Sequence, residues 1–150
     1  MTGLRHRIAF FLSALLLSIA VPASAQKMAS VDRNEINMRS GPGTNHESLW
    51  LLGRGYPLQI IGRKGKWVQV RDFEADKGWV YRPLLGDKRH FVVKVKVANI
   101  RSKPSTRGSI VGKALYGDVL RTLERTKNWV KVQQEGGAKG WIARRLLWGW

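Results

Sequence analysis

Residues 67–85 read WVQVRDFEADKGWVYRPLL, and residues 129–147 read WVKVQQEGGAKGWIARRLL. A shift of 62 positions without gaps lays Trp67-Val68-Gln69-Val70 on Trp129-Val130-Lys131-Val132 and Lys77-Gly78-Trp79-Val80 on Lys139-Gly140-Trp141-Ile142. It also lays Arg82, Leu84 and Leu85 on Arg144, Leu146 and Leu147. Working outward, the same shift carries Asn37-Met38-Arg39-Ser40 onto Asn99-Ile100-Arg101-Ser102, Pro42 onto Pro104, Gly55 onto Gly117, Leu58 onto Leu120 and Arg63 onto Arg125. Self-similarity at one fixed period is the mark of a duplicated structural unit.

Within each copy the pattern is that of short strands. Trp67/Val68/Val70 and Trp129/Val130/Val132 come close to the alternation of a half-buried strand, while Leu58–Ile61 and Val119–Leu123 are short apolar runs. Glycines and polar residues punctuate them: Gly53, Gly55, Gly62 and Gly65 in the first copy, Asn128, Gly136 and Gly137 in the second. No window sustains a 3.6-residue period, so helix content is predicted to be low. The expected fold class is all-β, two small barrels or sandwiches in tandem. The expected division is a first unit over 26–85, a linker Gly86-Asp87-Lys88-Arg89-His90, and a second unit over 91–150. Lys94 and Lys96 alternate with Val93, Val95 and Val97, which predicts one strand with both lysines on its outer face.

The remaining residues bear on compartment and charge. Arg5, His6 and Arg7 precede a nearly unbroken apolar stretch from Ile8 to Ala20, followed by Pro22 and Ala23-Ser24-Ala25. A basic start, a short apolar stretch and an A-x-A end describe a secretory signal peptide, with cleavage expected after Ala25. The stretch falls short of the roughly 20 residues a membrane span needs, and no later run is apolar enough to enter a membrane. A periplasmic or secreted protein, without a transmembrane span in its mature form, is therefore expected. The 150-residue chain has 27 Lys and Arg against 10 Asp and Glu, a net charge of +17, and no cysteine. That composition excludes a disulfide framework, a thiolate zinc site and a cysteine nucleophile. The charge serves either solubility or attraction to an anionic partner.

The order N-x-R-S-x-P, a glycine-containing turn, W-V-x-V, K-G-W-[VI] and L-L resembles the bacterial SH3-like (SH3b) domain, met twice over about Val31–Leu85 and Val93–Leu147. The resemblance implies a strongly bent antiparallel barrel of five to six strands without catalytic activity, so the fold class becomes two tandem SH3-like β-barrels after a cleaved signal peptide. It also implies an exported module that binds a cell-wall component or a protein.

Candidate residues follow. Trp67 and Trp129 begin a strand after a charged turn, at the position that in the resembled fold lines the ligand groove; each is either an aromatic platform or a core residue. Arg39 and Arg101 in the repeated N-x-R-S turn, and Arg82 and Arg144 before Leu-Leu, either fork onto a carboxylate or phosphate or cover a core aromatic with their stems. Trp79 and Trp141 follow a glycine, suggesting a tight backbone with the ring folded over the barrel end. Asn37, Asn99, Pro42 and Pro104 read as turn formers. No catalytic residue, cofactor or metal site is expected. The mature chain holds only His46 and His90 as histidines, at unrelated places in the two copies, and Asp72, Glu74 and Asp76 read as a solvated loop between Arg71 and Lys77. The expected function is non-enzymatic recognition of an envelope component such as peptidoglycan through paired grooves. The alternatives are a periplasmic adaptor for an extended segment of an envelope protein and a nonspecific polyanion binder. Export removes cytoplasmic nucleic acid as a partner.

Overall fold

The computed structural model describes residues 26–150; the predicted signal peptide, residues 1–25, lies outside the described residues. Strands β1 (Met28–Val31), β2 (Glu35–Arg39), β3 (Ser48–Gly53), β4 (Pro57–Lys64), β5 (Trp67–Arg71), β6 (Lys77–Tyr81) and β7 (Leu85–Gly86) form one antiparallel sheet in the order β3-β2-β6-β5-β4-β1-β7. Strands β8 (His90–Val93), β9 (Val97–Arg101), β10 (Ile110–Leu115), β11 (Val119–Arg125), β12 (Trp129–Gln133), β13 (Lys139–Ala143) and β14 (Leu147–Gly149) repeat that order as β10-β9-β13-β12-β11-β8-β14. One turn of 3-10 helix, Arg82–Leu84 or Arg144–Leu146, leads into the last strand of each. Two bent all-β barrels in tandem result. Gly86 and His90 lie in strands, which leaves Asp87, Lys88 and Arg89 between the two sheets.

The alternation of W-V-x-V sends Val68, Val70, Val130 and Val132 inward with no exposed surface, while the tryptophans and the residues between point out. Each core comprises ten buried apolar residues, and all ten pairs are related by the 62-residue shift. Most pairs are alike in size, such as Leu58 and Leu120 or Leu85 and Leu147. Three are not: Phe91 replaces Ala29, while Ala98 and Ala114 replace Ile36 and Leu52. The large gain is offset by two losses, as close packing at roughly constant volume requires.

Closure into a barrel needs sharp bends, and β-bulges supply them at equivalent places. The register slips between Met38 and Arg39 opposite Leu49, and again between Ile110 and Gly112 around Val111. It also slips between Ile60 and Gly62 and between Thr122 and Glu124. The extra residues, Leu49, Val111, Ile61 and Leu123, are all turned out to solvent. At the closing corner β2 meets β6 through one residue pair, Arg39 with Trp79, and β9 meets β13 through Arg101 with Trp141. A Cβ on Gly78 would stand 2.5 Å from Met38 Cγ, and one on Gly140 would stand 2.5 Å from the Arg101 carbonyl oxygen. The glycine of K-G-W is thus demanded by strand crossing. Trp79 and Trp141 lie half-buried on the outer face of their strands, paired across from Gln69 and Lys131, with the Lys131 ammonium 5.8 Å from the Trp141 ring centroid.

Three expectations need correction. Lys94 and Lys96 do not share a strand: β8 ends at Val93, the chain bends, and β9 starts at Val97, because this corner carries the chain to the other side of the barrel. Asn37 and Asn99 sit within β2 and β9 rather than in turns, and Asn37 accepts a bond from Ser48 Oγ across the strands at 2.8 Å. Asp72 is not solvated. It is buried, and its Oδ1 accepts the backbone N–H groups of Glu74 and Asp76, both at 2.9 Å, which organises the β5–β6 turn. Burial raises its carboxyl pKa, against the lowering effect of the Asp76 and Glu74 N–H groups.

Candidate functional site

Each barrel carries an open groove beside the first tryptophan of W-V-x-V, between the loop after N-x-R-S and the end of β6 or β13. The first, about 480 Å³, is lined by Asn37, Arg39, Gly43, Thr44, Asn45, Trp67, Tyr81 and Leu84. Its floor is an aromatic pair: Trp67 and Tyr81 lie opposite each other across β5 and β6, with ring centroids 5.5 Å apart and planes inclined by 54°. Such a tilted pair is favourable by roughly 0.5–1.5 kcal/mol beyond its buried area. Trp67 is half-buried and stands outside the core cluster, so its ring is available to solvent along the groove. Arg39 forms part of the wall, but its Nη1 donates to the His46 carbonyl at 2.9 Å and braces the loop.

The second groove, about 490 Å³, is lined by Thr106, Lys127, Asn128, Trp129, Ala143, Arg144 and Arg145. Trp129 is again half-buried and outside the core. Arg101 repeats the loop brace by donating from Nη1 to the Gly108 carbonyl at 2.9 Å, yet it is not part of the groove lining. Arg82 likewise lies outside the first lining and donates from Nη1 to the Leu85 carbonyl at 2.9 Å. Arg144, its counterpart, does line the second groove. Its guanidinium lies 5.4 Å from the Phe91 ring centroid, and its buried Nη1 has no hydrogen-bond partner among the described residues.

Two matches decide the family. Residues 32–87 match one family described as a bacterial SH3 domain, and residues 96–147 match a second family of the same description. The chain belongs to the bacterial SH3 domains, with one copy in each half.

A curated relative of this tandem SH3 chain is the putative N-acetylmuramoyl-L-alanine amidase YrvJ of Bacillus subtilis, 26% identical over 148 residues. The alignment covers 91% of the chain but only 28% of the amidase, so the SH3 chain spans just over a quarter of that relative's length. Similar solved structures include NlpC1 from Trichomonas vaginalis, at 21% identity and a TM-score of 0.35 over 89% of this chain and 49% of that one. An NlpC/P60 family protein from Bacillus cereus is also similar, at 16% identity and a TM-score of 0.35 over 83% and 56%.

Of the six residues singled out from sequence, the SH3 grooves bring together Trp67 with Arg39 and Trp129 with Arg144; Arg82 and Arg101 serve the barrels' own loops. Sequence reasoning missed Tyr81, Asn45 and Leu84 in the first groove and Asn128 in the second. Tyr81 had one usable signal, since it lies 14 residues after Trp67 and a five-residue hairpin turn places it opposite. The acidic cluster lies on neither groove. Asp72, Glu74 and Asp76 carboxylates come within 4.8 Å of one another, with Asp72 already committed to its turn. Among the described residues no helix is long and apolar enough to cross a membrane.

Proposed function

We propose that this protein is an exported, non-enzymatic module that binds peptidoglycan through its two grooves. On this reading residues 1–25 are removed on export, and the mature chain works in the periplasm or outside the cell. Barrels over 26–85 and 91–150, joined through 86–90, present Trp67 and Trp129 to one polymer, with Arg39 and Arg144 on the groove walls. The observation that carries the proposal is the recurrence, in both barrels, of a solvent-accessible tryptophan in an open groove of about the same volume. A strand-borne aromatic shelf suits the apolar face of a sugar or peptide. The similarity to a protein named as a putative N-acetylmuramoyl-L-alanine amidase supports the choice of polymer. Two sites on one chain gain avidity when both reach the same polymer.

Co-sedimentation with purified sacculi at low and physiological salt tests this. The mature protein is expected in the pellet at both salt levels. Single Trp67→Ala or Trp129→Ala variants should be partly retained, and the double variant should remain in the supernatant. Loss of binding in salt for every variant alike would reduce the interaction to the net charge. Absence from the pellet together with one dominant co-purifying protein would favour an adaptor that docks an extended segment.

A further inference from the structure

The two grooves occupy equivalent places but differ in chemistry, and the differences run in one direction. Where the first groove has the Tyr81 ring, the second has Ala143. Gly65 and Pro83 of the first copy correspond to Lys127 and Arg145 in the second. Arg82 donates to the Leu85 carbonyl, but its counterpart Arg144 leaves a buried Nη1 unpaired, and its guanidinium lies against the ring of Phe91, which stands where the first barrel has Ala29. The second lining therefore holds Lys127, Arg144 and Arg145 and no carboxylate, whereas the first holds a single cation already tied to the His46 carbonyl.

We infer that the second groove is a receptor for an anionic group, a carboxylate or a phosphate, held by the cations of Lys127, Arg144 and Arg145 in the groove that Trp129 also lines, while the first groove takes an uncharged face of the ligand. This deepens the peptidoglycan reading and rests on it for the wall polymer as the natural source. The physical argument is charge compensation. Arg144 has no carboxylate partner among the described residues, and an anion entering the groove beside its guanidinium offsets a charge that the fold leaves uncompensated. Lys127 and Arg145 are exposed at the rim, where they attract such a group, and Asn128 adds a polar side chain. Neither rim cation has a hydrogen bond or ion pair with another described side chain, which leaves both available to such a group.

Titration of the 15N-labelled mature protein separates the possibilities. The probes are N-acetyl-alanyl-alanine with a free carboxylate, the same peptide as its C-terminal amide, and inorganic phosphate; indole N–H signals are assigned with Trp→Phe variants. The carboxylate peptide is expected to shift Trp129 and Asn128 and to leave Trp67 and Asn45 in place, and the amide is expected to leave all four in place. A K127Q/R145Q variant, altered only at exposed side chains, should lose affinity at least about tenfold, as removal of two charge-assisted contacts predicts. Phosphate shifting the same signals without the peptide would support the anion receptor and identify phosphate as its source. Equal response in both grooves, equal binding of peptide and amide, or no response to any probe would overturn it. The sacculus assay fails independently: an anion response without sedimentation removes only the wall polymer, and tryptophan-dependent sedimentation without an anion response removes only the division of labour between the grooves.

Discussion

His90 is half-buried at the junction of the two barrels, where a Cβ on Gly55 would stand 2.8 Å from its ring. Its Nδ1 lies 2.9 Å from the Lys88 carbonyl, and Val31, Asp32, Arg54, Lys88 and Arg121 line the same small cavity. Burial lowers its pKa below 6.5; the Lys88 carbonyl opposes this, and the charges of Arg121 and Lys88 reinforce it. The folded state thus binds a proton at His90 less readily than the unfolded chain does. Stability contributed by the neutral ring is present above pH 6.5 and lost as pH falls through that value towards the lower folded one. Urea midpoints at pH 8 and pH 5 should therefore differ more in the wild type than in His90→Gln. An equal difference in both would place the acid sensitivity elsewhere.

Among the strands, the sequence was most legible where alternation and burial coincide. The W-V-x-V segments became β5 and β12 because inward valines and outward neighbours repeat with the period of a strand. Alternation misled over 93–97, where it continues unbroken through a corner that only the opposite side of the barrel requires. Groove composition was less legible still. Trp67 and Arg39 announce themselves by repetition, but Tyr81, Lys127 and Arg145 come from strand ends and turns where the copies differ, and only folding brings them beside a tryptophan. The exchanges between the two cores make an element-scale prediction. Phe91→Ala should cost about 3–5 kcal/mol in urea unfolding, as large-to-small core changes do. Ala98→Ile alone should cost about 1–3 kcal/mol by overpacking. Together they recreate the first barrel's core combination of Ala29 on β1 with Ile36 on β2, so the double variant should be more stable than the sum predicts. Strict additivity would show that the two positions do not share a volume.

For the molecule as a whole, the relation between barrels depends on a bridge from the β5–β6 turn to the turn after β10. Phe73 packs between Tyr56 and Tyr116, at centroid separations of 6.3 and 5.3 Å, and the Tyr116 hydroxyl donates to a Glu74 carboxylate oxygen. Burial raises the Tyr56 pKa most, with the Asp72 charge adding to it, while at Tyr116 the bond to Glu74 is the main cause of a raised value. Ser30 Oγ also donates to the Lys88 carbonyl at 2.7 Å, fastening the connection to the first barrel. The two barrels should consequently tumble as one body. In 15N relaxation, wild-type amides of both halves are expected to give one correlation time, and Phe73→Ala should separate them; a single value in the variant would show that the connection alone is sufficient. The bridge is also directional. Positions 54, 118 and 135, the counterparts of Tyr116, Tyr56 and Phe73, hold Arg54, Asp118 and Glu135. The leading barrel owns one half of the clasp and the trailing barrel the other, so a third copy of either, added in line, would find no matching half. The duplication has specialised into an ordered pair: exchanging the two copies along the chain would set Arg54 against Asp118 and Glu135 and dissolve the aromatic clasp.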